Sequence, residues 1–133
     1  GLVSIAAKRA GAAHVTAAEI DAFALAAIAL NAALNGVAIE AQSRDIIGSN
    51  SDWDAIVVGD MCYERPLADR LTQWLRQSAA QGATVLMGDP GRTYLPKEGL
   101  REVARYTVPT SLDLEDRTMR ETVIWQLGGA IAI

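Results

Sequence analysis

The chain alternates between stretches whose apolar residues recur at helical spacing and short runs that are apolar almost throughout. Leu2 to Ala10 is rich in good helix formers and closes at Gly11, a residue suited to the left-handed conformation of helix ends. His14 to Ala18 reads as a short strand. Asp21 is placed to cap a second helix, in which Phe23, Ala27, Leu30 and Leu34 fall on one face expected to be buried, and Asn35-Gly36 ends it. Ala38 to Gln42 reads as a weak strand. Beyond the polar loop Gly48-Ser49-Asn50-Ser51, the run Ala55-Ile56-Val57-Val58-Gly59 has the continuous apolar character of a strand covered on both faces.

Pro66 suits the first turn of a third helix, where Leu67, Leu71, Trp74 and Leu75 oppose Asp69, Arg70, Gln73 and Arg76 as far as Gly82. Thr84 to Gly88 is another buried strand, and a short helix is expected around Leu100 to Ala104. Two closing strands, Arg105 to Val108 and Glu121 to Leu127, are joined by a long charged connection from Pro109 to Arg120. The tail from Gly128 to Ile133 has no place in this scheme and is expected to fray.

Such alternation predicts an α/β fold, a mostly parallel sheet with helices on both faces. The 133 residues suffice for one core, read as a domain over residues 1–127 followed by the tail at 128–133. A formal charge of -4, with acidic and basic residues interspersed, offers no footprint for a nucleic-acid backbone. No uncharged apolar run reaches the roughly 20 residues of a membrane helix, and Lys8 and Arg9 follow the first apolar stretch in the reverse of a secretory leader. The lone Cys62 forms no internal disulfide, which suits a reducing, cytoplasmic setting. His14 has no partner at ligand spacing, so no metal site is expected.

In open α/β sheets ligands bind beyond the carboxyl ends of the strands, which directs attention to four segments. Glu19, with Ile20 beside it, follows the first strand, where a carboxylate can accept both hydrogen bonds of a ribose diol. Asp21 is explained by helix capping alone. Asp45 and Ile46 follow the second strand as an acid with an apolar neighbour. The third strand delivers Gly59-Asp60-Met61-Cys62-Tyr63-Glu64, and the fourth delivers Gly88-Asp89-Pro90-Gly91-Arg92, a turn with flanking charges. Cys62 lacks a histidine to activate it and reads as a small buried filler. Trp53, Trp74 and Trp125 are too far apart for a base-stacking stripe and read as core or rim.

Taken together, these segments resemble class I, seven-strand, Rossmann-like S-adenosylmethionine-dependent methyltransferases. Asp60-x-x-Tyr63 after the strand from Asp54 is similar to the motif of the protein lysine methyltransferases, and with Asp89-Pro90-Gly91-Arg92 the chain resembles those acting on the electron transfer flavoprotein β subunit and their bacterial relatives. The resemblance implies a sheet ordered 3-2-1-4-5-7-6 with the seventh strand antiparallel. It makes Gly1 the last glycine of the cofactor loop, so the family's own first strand, which would precede Gly1, and most of that loop are expected to be absent, leaving the neighbours of that strand unpaired and the chain unstable or aggregation-prone unless they close up. It implies S-adenosylmethionine as cofactor, held by Gly1, Glu19, Ile20, Asp45 and Ile46. Asp60 and Tyr63 become the catalytic pair and Asp89, Pro90 and Arg92 face the acceptor, a protein lysine, in an enzyme that is monomeric when intact. Three other readings stay open: a different acceptor, such as a small amine or a ribosomal protein; a nicotinamide-dinucleotide-binding Rossmann domain, in which Glu19 would still hold a ribose; and an inactive fragment.

Overall fold

The computed structural model describes residues 1–50, 52–111 and 118–128, and the chain divides into two compact units, residues 1–46 and 47–133. The first unit contains α1 (Leu2–Arg9), β1 (Thr16–Ala18), α2 (Ala22–Leu34) and β2 (Glu40–Gln42). Gly1 caps α1, and a Cβ added there would lie 3.0 Å from Ile28 Cγ1, so α1 begins in close packing on α2. Gly11 follows α1 with φ 103°, the left-handed geometry its position requires. Asp21 accepts a 2.8 Å hydrogen bond from the Ala24 amide and thereby caps α2. β1 and β2 pair in parallel, Thr16 opposite Glu40 and Ala18 opposite Gln42.

α2 buries Ile28 and Ala32, whereas Phe23, Ala27, Leu30 and Leu34, the face expected inside, are exposed, Phe23 by 88%. The reason lies in the helix itself. Asn31 is its only polar residue, so apolar spacing selects no unique face, and the face against α1 and β2 is chosen by packing.

The second unit contains β3 (Ala55–Gly59), α3 (Arg65–Ala80), β4 (Thr84–Asp89), β5 (Leu100–Pro109) and β6 (Met119–Leu127). Its sheet runs β3-β4-β6-β5, with β3 and β4 parallel and β6 antiparallel to both neighbours. Together with the β1-β2 pair, this is the mostly parallel architecture with an antiparallel closing strand that the sequence predicts; among the described residues no ladder joins the two sheets. One face of the second sheet, through Val58, Val85, Met87, Val123 and Leu127, is buried, as are Ala68, Leu71, Trp74 and Leu75 of α3. Pro66 lies in the first turn of α3, and the Trp74 indole N–H donates to the Ser49 carbonyl at 2.9 Å.

Two elements differ from the sequence pattern. β3 is buried on one side only: Val58 is buried but Val57 is 47% exposed, because α3 packs on the sheet through β4 and β6 on the face that Val58 shares, while both faces of the strand are apolar in this run. Leu100 to Ala104 is not a helix but the first half of β5, a ten-residue strand paired along its length with β6. A bulge between Glu102 and Ala104 inserts one residue into the ladder. Leu100, Val103 and Ala104 are spaced in sequence as on a helix, but the backbone is extended, with Leu100 opposite Leu127 and Ala104 opposite Ile124. The tail from residue 129 and residues 112–117 of the long connection lie outside the described residues.

Leu75 is fully buried in the second unit. Leu75→Ala is expected to cost about 2–5 kcal/mol through lost burial and a residual cavity. Phe23→Ser on the exposed face of α2 should stay within about 0.5 kcal/mol. Urea titration followed by circular dichroism compares the two.

Candidate functional site

In the first unit, parallel pairing brings the carboxyl ends of β1 and β2 to one edge, and the Glu19 amide donates to the Gln42 carbonyl at 3.0 Å as the ladder ends. Half-buried Glu19 accepts from the Asp21 amide at 2.9 Å through Oε1, fixing its carboxylate beside the start of α2. A carboxylate has lone pairs beyond that one bond. Ile20 is 73% exposed, and the loop after β2 carries exposed Asp45 and half-buried Ile46. Gly1 opens α1, where the first amides of a helix lack intrahelical partners.

In the second unit the sharper arrangement forms at the ends of β3 and β4. Their ladder closes with Gly59 opposite Gly88, and the Asp60 amide donates to the Gly88 carbonyl at 2.8 Å. Asp60 has φ 48°, the only positive φ at a non-glycine position among the described residues. Such a backbone is uncommon and tolerated best by Gly, Asn and Asp. It turns the chain sharply at the strand tip toward Tyr63, which is 56% exposed.

Asp89 continues the inward alternation of Val85 and Met87 along β4 and is 2% exposed. It therefore does not face an acceptor as the sequence suggests. Instead its Oδ1 accepts from the amides of Gly91 and Arg92, each at 2.7 Å, folding the turn that contains half-buried Pro90. Gly91, at φ 94°, supplies the left-handed residue of that turn. The turn fixes Arg92, whose Nε and Nη2 donate to Asp60 Oδ1 and Oδ2 at 2.6 and 2.7 Å, a two-pronged guanidinium–carboxylate pair.

The pair sets the electrostatics. Hydrogen bonding from Arg92 holds the Asp60 carboxyl below its ordinary value against the opposing effect of burial, and the charges of Arg92 and Arg120 add to it. Cys62, buried behind the loop, is pushed up to about 11 by burial and by the negative charges of Asp89 and Asp60, so it is a neutral thiol at physiological pH. Its carbonyl accepts from the Tyr94 amide at 3.3 Å, and the Arg65 guanidinium lies 5.3 Å from the centre of the Tyr94 ring. Among the described residues no cluster of His, Cys, Asp and Glu is suited to a metal ion, and no helix is long and apolar enough to cross a membrane.

Sequence reasoning treats Asp60 and Arg92 as separate candidates; the fold joins them. The signal is the adjacency of two parallel strands ending in Gly59-Asp60 and Gly88-Asp89. The influence of Arg120, from β6, has no comparable sequence signal, since it depends on β6 entering the sheet beside β4.

This fold is that of the Rossmann-like class I methyltransferases. Magnesium protoporphyrin IX methyltransferase from Synechocystis PCC 6803, solved with bound SAM, aligns over 96% of this chain and 65% of its own at a TM-score of 0.64 and 15% identity. The tRNA (uracil-54, C5)-methyltransferase of Pyrococcus abyssi, in complex with S-adenosyl-L-homocysteine, aligns over 86% of this chain and 28% of its own at 0.60 and 13% identity. The model of the ribosomal protein L11 methyltransferase (PrmA) family matches residues 1–88, and the chain belongs to that family. It is also 36% identical over 133 residues to the electron transfer flavoprotein beta subunit lysine methyltransferase of Danio rerio, covering 95% of this chain and 52% of that protein. The same enzyme of Homo sapiens is 36% identical over 132 residues, with 94% and 50% covered. The chain thus spans about half the length of these relatives.

Because the folded Asp60 carboxyl titrates below its ordinary value of 3.8, its pair with Arg92 contributes stability that is complete above that value and is lost as pH falls through the lower folded value. The stability difference between the wild type and Arg92→Met should accordingly be constant near neutrality and close as the pH drops below about 4. Urea midpoints across an acid series measure it; a difference unchanged down to pH 2 counts against the pairing.

Proposed function

We propose that this protein is an S-adenosylmethionine-dependent methyltransferase that methylates a lysine side chain of a protein, the electron transfer flavoprotein β subunit being the first candidate. Membership of a methyltransferase family and the relatives' names support the activity and the acceptor. The observation that carries the site assignment is Asp60, an exposed carboxylate held in a left-handed turn at the tip of β3, with Tyr63 three residues beyond.

The residues of the first unit fit the nucleoside part of the cofactor. Glu19, anchored through one oxygen by the Asp21 amide, would accept from the ribose hydroxyls, with exposed Ile20 beside it. Asp45 would accept from the adenine amino group, Ile46 would pack on the ring, and Gly1 would bring the start of α1 close to the cofactor. When bound, S-adenosylmethionine supplies an electrophilic methyl group whose carbon–sulfur bond breaks with the electron pair passing to sulfur.

The tasks left to the chain are alignment and charge control. A lysine amine is protonated at neutral pH, with a reference pKa near 10.4, and must be neutral for its lone pair to form the new nitrogen–carbon bond. Asp60 and the Tyr63 hydroxyl would accept the amine's N–H bonds and direct its lone pair. Paired with Arg92, Asp60 is too weak a base to remove the proton, which therefore passes to water. Arg92 lies beside the acceptor position and Pro90 shapes the turn that carries it, whereas buried Asp89 supports that turn from within.

A ribosomal protein L11 lysine is the second acceptor reading, favoured by the family model. Transfer of labelled methyl from S-adenosylmethionine to each purified protein decides between them, and labelling of neither would sink the proposal. Asp60→Asn tolerates the left-handed backbone while removing the charge. It should lower kcat by about 10²-fold or more without weakening cofactor binding measured by calorimetry. Tyr63→Phe should lose less.

A further inference from the structure

We infer that Arg92 is a charge-balancing positioning residue: its guanidinium cancels the charge of Asp60, so that the carboxylate orients an incoming amine without trapping it as an ammonium. The inference rests on the reading of Asp60 as the acceptor-holding group.

That reading contains a conflict of its own. A bare carboxylate beside a primary amine stabilises the protonated form and raises its pKa, typically by one to three units, which opposes attack by the lone pair. An acceptor site built on an isolated aspartate would bind lysine well and methylate it poorly. The structure contains a remedy. Both oxygens of Asp60 are engaged by one guanidinium, at 2.6 and 2.7 Å, so the pair presents little net charge to a third group. A carboxylate offers about four lone-pair directions and Arg92 takes two, leaving acceptor capacity for an N–H of the amine.

The placement of Arg92 is built into the fold. Its amide and that of Gly91 are tied to Asp89 Oδ1, and Asp89 is itself buried at the end of β4. The guanidinium thus reaches Asp60 from a braced turn, where a loosely held surface arginine would lose side-chain entropy on pairing. Of the other titratable groups near the pair, Arg120 adds positive potential from β6 and Cys62 is neutral, whereas the negative charge of buried Asp89 offsets part of that positive potential. Arginine suits the task because it remains charged throughout the working pH range and its fork matches a carboxylate.

The test uses the full chain and two readouts. n-Butylammonium serves as the simplest acceptor mimic and its binding is measured by calorimetry at pH 7, a readout that needs no turnover. Arg92→Met and Arg92→Gln should bind it roughly fivefold more tightly than the wild type, since an uncompensated Asp60 attracts the cation. Arg92→Lys, which keeps the charge, should bind as the wild type does. In the methyl-transfer assay the acidic limb of the kcat profile should move upward by about one pH unit in Arg92→Met and Arg92→Gln but not in Arg92→Lys, with KM for the acceptor falling. Unchanged butylammonium affinity in both neutral variants, or kcat lowered equally at every pH, overturns the inference. If the wild type methylates neither acceptor protein while both neutral variants bind butylammonium more tightly, the charge-balancing role stands and the methyl-transfer reading falls.

Discussion

The register of β3 against β4 is the constraint on which the second unit depends. Five residue pairs in parallel, ending with Gly59 opposite Gly88, bring Asp60 and Asp89 to neighbouring strand tips. Side chains alternate along a strand, so a slip of one residue would turn every buried side chain of β3 toward the other face and separate the Asp60 carboxylate from Arg92. The hydrophobic pattern prevents that slip. Val58, Val85 and Met87 share the buried side of the sheet with α3, and their burial locks the positions of the polar residues that follow.

Two aspartates, one at each strand tip, perform different tasks because the alternation delivers them to different environments. Asp89 is the next inward residue after Met87, so it is buried and its carboxylate serves backbone amides. Asp60 itself adopts the left-handed conformation, which carries its side chain out of the alternation, and it reaches solvent and a guanidinium instead. The buried acid shapes the turn that presents the cation to the exposed acid. Cys62, buried within reach of both charges and neutral, fills space without adding a charge or a nucleophile.

Much of this is legible in the sequence because the signals are local. Continuous apolar runs mark β3 and β4, the amphipathic stripe marks α3, and Asp21 announces the start of α2. The candidate positions follow from one topological rule, that parallel strands present their carboxyl ends to ligands. What sequence does not reveal is decided by packing across the chain. An almost wholly apolar α2 has no preferred face until α1 and β2 select Ile28 and Ala32. Leu100, Val103 and Ala104 have helical spacing in the sequence, and pairing of β5 with β6 overrides that local pattern. The inward turn of Asp89 and its consequence for Arg92 require knowing which face of β4 meets α3.

The left-handed backbone at Asp60 also bears on how this position can vary. Most side chains are disfavoured there by the backbone alone, which confines readily accepted replacements to glycine, asparagine and aspartate whatever chemistry is required. Within that small set only aspartate carries a charge that can engage a guanidinium. A related chain with glycine or asparagine here would retain the shape of the turn while having lost its ion pair. Residue identity at this one position therefore separates inheritance of the fold from inheritance of the chemistry, a distinction that overall sequence identity does not draw.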